Sequence, residues 1–196
     1  MSLDWTAFLQ ASAKCPIHPL WEFIDPELRE GQIALELGCG AGAGVEHLVG
    51  KGLKVIAVDQ EPEALEMTRE RVNGHPDVHL VRAQFQDLGL DAESLDVIIA
   101  GFSIFFLRSW EFGQVWQRLL KALRPGGIFA GQLLGVNDDW RDEGVTTHTL
   151  AEVQSLLHPF DVIHLEEVER DGRTVTGLAK HWHIFHVVAR KREDAE

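Results

Sequence analysis

The spacing of apolar residues changes several times along the chain, and each change marks an element. Between residues 4 and 14, Trp5, Phe8, Leu9 and Ala13 recur at helical spacing and predict a helix with one buried face. "CPIHP" breaks it, because its two prolines disfavour a continuous helix. A second helix is predicted over about 20–28, shortened by Pro26. From residue 32 the pattern becomes regular. "QIALEL", "KVIAVD", "DVHLVRAQ", "SLDVIIAG" and "GIFAGQLLG" read as buried strands. Between them, "AGVEHLV", "EPEALEMTRERV" and "EFGQVWQRLLKAL" carry helical spacing, with Pro62 in a first turn where its missing N–H costs little. "TLAEVQSLLH" predicts a further helix capped by Thr149 or Thr147. "FDVIHLEEVE" and "HWHIFHVVAR" are strands joined by the polar stretch "RDGRTVTGLAK", with no helix between them.

Strands alternating with helices imply a mostly parallel sheet covered on both faces. The last two strands then pair most simply as an antiparallel hairpin at one edge. The expected fold is α/β: a three-layer α/β/α sandwich on a mostly parallel seven-stranded sheet with that C-terminal edge hairpin. We expect one domain over 1–196. Residues 1–30 form a helical lid, 31–135 a ligand-binding core, and 136–196 a substrate loop, a helix and the hairpin.

Composition narrows the class. A hydrophobic fraction of 45% and a charged fraction of 25% are those of a globular protein. No apolar run approaches the ~20 residues of a membrane helix. "MSLDWTAFLQ" carries an acid where an export signal carries basic residues, and only Cys15 and Cys39 are present, so a reducing cytoplasm is the expected location. A net charge of −13 opposes attraction to nucleic acid or an anionic membrane, and the longest basic cluster is "ARKR" at 189–192.

The chemistry concentrates in "ALELGCGAGAG", where Gly38, Gly40, Gly42 and Gly44 follow a strand and precede a helix. A phosphate-binding P-loop would end in Gly-Lys-Ser/Thr, and this loop does not. Gly38, Gly40 and Ala43 fit G-x-G-x-x-G/A, with Asp59 at the end of the next strand to accept from ribose hydroxyls, so a dinucleotide such as NAD(P) is one reading. An adenosyl sulfonium is the other. A pyrophosphate avoids a carboxylate, whereas an ammonium and a sulfonium tolerate Glu36. No Lys or Arg lies between residues 34 and 50, which favours the sulfonium.

"ELGCGAG" resembles motif I of the Rossmann-like, class I S-adenosylmethionine-dependent methyltransferases, the small bacterial kind with a methyltransferase domain. "VIAVD", "VRAQFQDL", "LDVIIAGFSIFFL" and "LKALRPGGIFAG" resemble the family's later motifs in order, over about residues 33–131, and "KHWHIFHVVARK" fits its last edge strand. The resemblance implies a Rossmann-like sheet and S-adenosyl-L-methionine as cofactor, with S-adenosyl-L-homocysteine as product. It implies that Gly38, Cys39 and Gly40 lie against the methionine part, that Glu36 orients the loop, and that Asp59, with Gln60 beside it, holds ribose. Ala100, Gly101 and Ser103 are expected near the sulfonium, and the N–H of Phe85 near an adenine nitrogen. The adenine segment departs from the family: Gln84 stands where an acid is common, its amide oxygen can accept in the same way, and Asp87 is the alternative.

The implied reaction is methyl transfer to a small-molecule acceptor, with a thiol or a metalloid the expected kind. The open alternatives are an NAD(P)-dependent oxidoreductase and a cofactor-binding protein of this fold without catalysis. No residue stands out as a general base, and the fourth strand lacks the Asn/Asp-Pro-Pro-aromatic signature of base and glutamine N-methylation. Substrate contacts are expected from Trp21, Phe105, Trp140 and His148. Phe102, Phe106 and Trp110 are candidates for an apolar wall, and Trp5 and His18 for a lid. His181 and His183 share a strand face, opposite His186. With His164 they would offer metal ligands, but the spacing is unspecific and hydrogen-bonded strand residues are the expected reading. No metal, nucleic acid or membrane partner is expected, and the protein is expected to be a monomer or a homodimer.

Overall fold

The computed structural model describes residues 4–193, so the first three residues of the stretch read for export lie outside the described residues. Eight strands form one sheet. They are β1 (Ile33–Leu37), β2 (Lys54–Asp59), β3 (Val78–Arg82), β4 (Leu95–Ala100), β5 (Leu123–Gly135), β6 (Thr147–His148), β7 (Phe160–Arg173) and β8 (Ala179–Lys191). Their order is β3-β2-β1-β4-β5-β8-β7, with β6 paired to β5 off this path. β1 to β5 pair in parallel, and β8 runs antiparallel between β5 and β7. The chain order reverses between β1 and β4, so the carboxyl ends of those strands open a crevice at a topological switch point.

The helices are α1 (Trp5–Ser12), α2 (Trp21–Ile24), α3 (Ala43–Gly50), α4 (Pro62–Arg71), α5 (Ser109–Ala122) and α6 (Leu150–Leu156). Phe112, Val115, Trp116 and Leu119 form the buried stripe of α5, at the spacing one helix face requires. They pack on Leu35 and Leu37 of β1. The opposite sheet face, with Ala34, meets Val45 and Leu48 of α3 and Leu65 of α4. The alternation along β1 puts Glu36 on the α3 side, and this side-chain direction governs the site.

The bounds of three elements, α2, β5 and the hairpin, differ from those expected, and one short strand is added. The second helix is only Trp21–Ile24, and a tight 3-10 turn over Asp25–Glu27 continues the chain through Pro26. The strand expected from Gly127 begins at Leu123, because Leu95 pairs with Leu123 before a bulge lets Arg124 reach Asp96 at 2.6 Å. The sheet has an eighth strand, the two-residue β6, which the pattern could not signal at that length. The polar stretch after β7 also largely joins the hairpin, so β7 and β8 pair out to Arg173 and Ala179. Of the two candidate caps, Thr149 closes α6: its hydroxyl accepts from Glu152 N at 3.3 Å, and Glu152 Oε2 accepts from Thr149 N at 2.7 Å.

Candidate functional site

Across the carboxyl ends of β1, β2 and β4 lies a cleft of about 910 Å³. Its floor is the glycine loop. Gly38 N and Cys39 N both donate to Val58 O, at 2.8 and 3.0 Å, which ties the loop to β2. Gly38 has a φ of +71°, and a Cβ there would come within 2.5 Å of Ser103 Cβ, so the loop can close against the segment after β4 only because the side chain is missing. Gly40 N donates to Asp59 Oδ2 at 3.0 Å, while Asp59 Oδ1 accepts from Glu61 N at 3.0 Å. One carboxylate thus fixes the loop and the start of α4, and its remaining lone pairs stay available to a diol.

Glu36 is 8% exposed and borders this floor. Its Oε2 has no hydrogen-bond partner, and burial pushes its carboxyl up to about 8. A Cβ at Gly44 would strike the Glu36 carboxylate, so the glycine opening α3 leaves room for that acid. Burial also pushes the Cys39 thiol up to about 12, with Glu36 and Asp59 adding to the shift against a hydrogen bond from Thr68 Oγ1. Cys39 is therefore an inert thiol, packed under the loop.

All ten residues expected around the cofactor border this one cleft: Glu36, Gly38, Cys39, Gly40 and Asp59, then Gln60, Gln84, Phe85, Gly101 and Ser103. Ser103 Oγ donates to Leu37 O at 2.5 Å, closing the end of β4 over β1. Gln84 and Gln86 reach the cleft from the turn after β3, and Asp87, the alternative adenine contact, does not line it. The four residues expected to touch substrate lie elsewhere. Trp21 is buried against His47 at 4.6 Å, and His148 against Phe112 at 4.7 Å. Phe105 and Trp140 pack together beneath the hairpin.

The upper wall comes from other aromatics. Trp5 and Phe8 of α1 cover one side, tied down where Thr6 Oγ1 donates to Glu63 at 2.7 Å and Arg71 to Ala13 O at 2.8 Å. Phe102, Phe106 and Trp110 rise from the segment after β4. Val175 and Trp182, which the sequence reading did not offer for the site, arrive from the long hairpin. Nor was Gln132 of β5, whose Oε1 accepts from Phe102 N at 2.9 Å and holds that residue at a φ of +49°. A polar residue in the buried run "IFAGQLLG" was its one sequence signal. His181 and His183 are engaged by acids on β7: His181 Nδ1 lies 2.7 Å from Asp171 and His183 Nε2 lies 2.9 Å from Glu167.

An open sheet with a glycine loop at its switch point and an acid at the end of the next strand defines a Rossmann-like nucleoside-binding protein. Among the described residues, Arg108 is the only Lys or Arg on the cleft wall, while Glu36 and Asp59 face the loop; this donor set fits a cationic adenosyl ligand better than a pyrophosphate. Comparison with known proteins gives the family. Residues 35–131 match a family model described as a methyltransferase domain. Over residues 35–131 the chain carries this methyltransferase domain, as expected of a class I S-adenosylmethionine-dependent methyltransferase, whose cofactor is S-adenosylmethionine.

The chain is 30% identical over 100 residues to a carboxy-S-adenosyl-L-methionine synthase from Vibrio parahaemolyticus, covering 47% of this chain and 40% of that protein. It is 33% identical over 103 residues to nodulation protein S from Rhizobium tropici, covering 51% and 43%. A solved S-adenosylmethionine-dependent methyltransferase from Methanosarcina mazei superposes with a TM-score of 0.71 at 18% identity, over 91% of this chain and 99% of that one. The matched segment thus spans about two fifths of those two curated relatives, which are named for different roles. Among the described residues, no helix is long and apolar enough to cross a membrane.

Proposed function

We propose that this protein transfers a methyl group from S-adenosylmethionine to a small-molecule acceptor, and that the acceptor is a soft nucleophile, a thiol or a metalloid. The observation that carries the cofactor half is the buried, unpartnered carboxyl of Glu36 beneath a glycine loop without cations. When bound, the cofactor supplies a methyl group on a sulfonium: the acceptor's lone pair forms the new bond, and the old C–S pair stays on sulfur. The chain's own residues orient the two partners. Asp59 and the Gly38–Gly40 backbone fix the adenosyl part, and the aromatic wall excludes water around the acceptor. The thiol reading draws on that wall, where an uncharged or soft group is seated more readily than a hydrated oxyanion.

Calorimetric titration with S-adenosylhomocysteine and, in parallel, NADH tests this. Micromolar binding of the former alone is expected, and binding of NADH alone overturns the proposal in favour of an oxidoreductase. Cofactor binding without turnover of any thiol or metalloid acceptor would indicate a binding protein of this fold. Asp59→Asn is expected to weaken S-adenosylhomocysteine about 10- to 100-fold, because it replaces a two-oxygen acceptor with an amide that has only one and loosens Gly40. Unchanged affinity in the same titration would remove Asp59 from the site.

A further inference from the structure

His18 lines the cleft from the segment between α1 and α2, held between Pro16 and Pro19. Its carbonyl accepts from Trp21 N at 3.0 Å, and its ring Nδ1 accepts from Leu20 N at 3.1 Å. The ring is therefore tied to the backbone just before α2 and cannot turn freely. It stacks on His186 of β8 at 4.9 Å and meets the Phe102 ring edge-on at 5.4 Å. His186 Nδ1 lies 3.4 Å from Gln132 Nε2, and Gln132 Oε1 takes the Phe102 N–H. A chain of contacts thus joins the lid to the end of β4, beside Gly101 and Ser103.

Glu166 on β7 acts on both rings and favours their charged forms, while His164 and Arg170 on β7 oppose charging of His186. Burial outweighs these, lowering His18 and taking His186 to about 4, so both rings are neutral at pH 7. A neutral imidazole carries one N–H. In each ring Nδ1 faces a donor, so the proton sits on Nε2. His18 Nε2 has no hydrogen-bond partner among the described residues.

We propose that His18 Nε2–H is the hydrogen-bond donor that holds the acceptor's nucleophilic atom, and that the acceptor enters with its lone pair already free, as a thiolate. This rests on the methyl-transfer reading above. His18 has no lone pair at Nε2 to take a proton, so it cannot serve as a base toward the cleft. The step needs none: the thiolate sulfur bonds the methyl carbon, the sulfonium pair remains on the departing thioether, and no proton moves. The methylated product is a poorer hydrogen-bond acceptor than the thiolate, which favours its release.

Two thiols of different acidity, thiophenol and 2-mercaptoethanol, test this by pH–rate profile. The inflection in kcat/KM is expected to follow each thiol's own ionisation. His18→Phe, which keeps a stacked ring and loses the donor, is expected to raise thiol KM about 10- to 100-fold with kcat little changed. His18→Gln restores a donor and is expected to recover most of that loss. S-adenosylhomocysteine binding is expected to survive in both variants; its absence in the wild type would instead sink the methyl-transfer reading. An inflection shared by both thiols and lost in His18→Phe would make His18 a base and overturn the proposal. So would cofactor binding with turnover of neither thiol. Ring nitrogen-15 NMR of the protein with S-adenosylhomocysteine gives a readout independent of turnover: His18 is expected to be bare at Nδ1 and protonated at Nε2, and the opposite tautomer overturns the assignment.

Discussion

Replacing Lys180 with methionine is expected to lower stability by about 3–5 kcal/mol, because it breaks a buried ion pair from one side. The Lys180 and Asp138 side chains are 2% and 0% exposed and form a direct ion pair. Trp140 and Trp182 enclose the ammonium, with ring centroids 4.4 and 4.1 Å from Nζ. Asp138 also accepts from Trp140 N at 2.9 Å and from His183 N at 3.1 Å. Methionine fills the volume and leaves a buried carboxylate facing two neutral donors. In a chain of this length the loss corresponds to a fall in melting temperature of about 6–20 °C. A change below about 0.5 kcal/mol by urea denaturation would mean that the pair is solvated. The same pair ties the segment after β5 to β8, so it also sets the position of Trp182 on the cleft wall.

The sequence disclosed the parts of the site that depend on local structure. Strand, glycine loop and helix follow one another within residues 33–50, and Asp59 ends the next apolar run; both are decided by neighbours in the chain. The acceptor side was less legible because it depends on tertiary placement. Phe105 and Phe106 are adjacent, yet Phe105 is buried in the core and Phe106 lines the cleft, and no periodicity in a short loop distinguishes them. Trp182 reaches the cleft only because β7 and β8 keep pairing past Ile184, where β8 leaves β5, out to Arg173 and Ala179. Gln84 and Asp87 looked equivalent in sequence. The tight turn over Phe85–Asp87 puts Gln84 and Gln86 on the cleft and leaves Asp87 off it. His181 and His183 were legible as partnered residues, because strand register sets His181 opposite Asp171 and His183 opposite Glu169, two residues from its hydrogen-bond partner Glu167 on the same strand face.

Glu36→Gln is expected to make the protein more stable in base and its cofactor affinity insensitive to pH. Burial raises the Glu36 carboxyl from its ordinary 4.5 to about 8. Below pH 4.5 folded and unfolded chains both hold the proton, and the group contributes nothing to the difference. Between pH 4.5 and 8 only the unfolded chain ionises, so stability falls by ~1.4 kcal/mol per pH unit, then levels off. The accumulated cost is about 5 kcal/mol, and glutamine, which does not titrate, removes it above pH 8. A fold rarely keeps such an acid without a compensating partner, and the ammonium of a bound adenosyl ligand would supply one. If it does, the ligand draws the carboxyl's ionisation downward, and binding at pH 7 releases up to one proton. Titration of S-adenosylhomocysteine in phosphate and in Tris, whose ionisation enthalpies differ, should give different heats for the wild type and equal heats for Glu36→Gln. Equal heats for both proteins, with Glu36→Gln binding as tightly as the wild type at pH 9, would show that no cation meets this carboxyl. The acid at the glycine loop would then have to be explained by the packing of α3 on β1 through Gly44, and the preference for a sulfonium over a pyrophosphate would rest only on the missing basic residues.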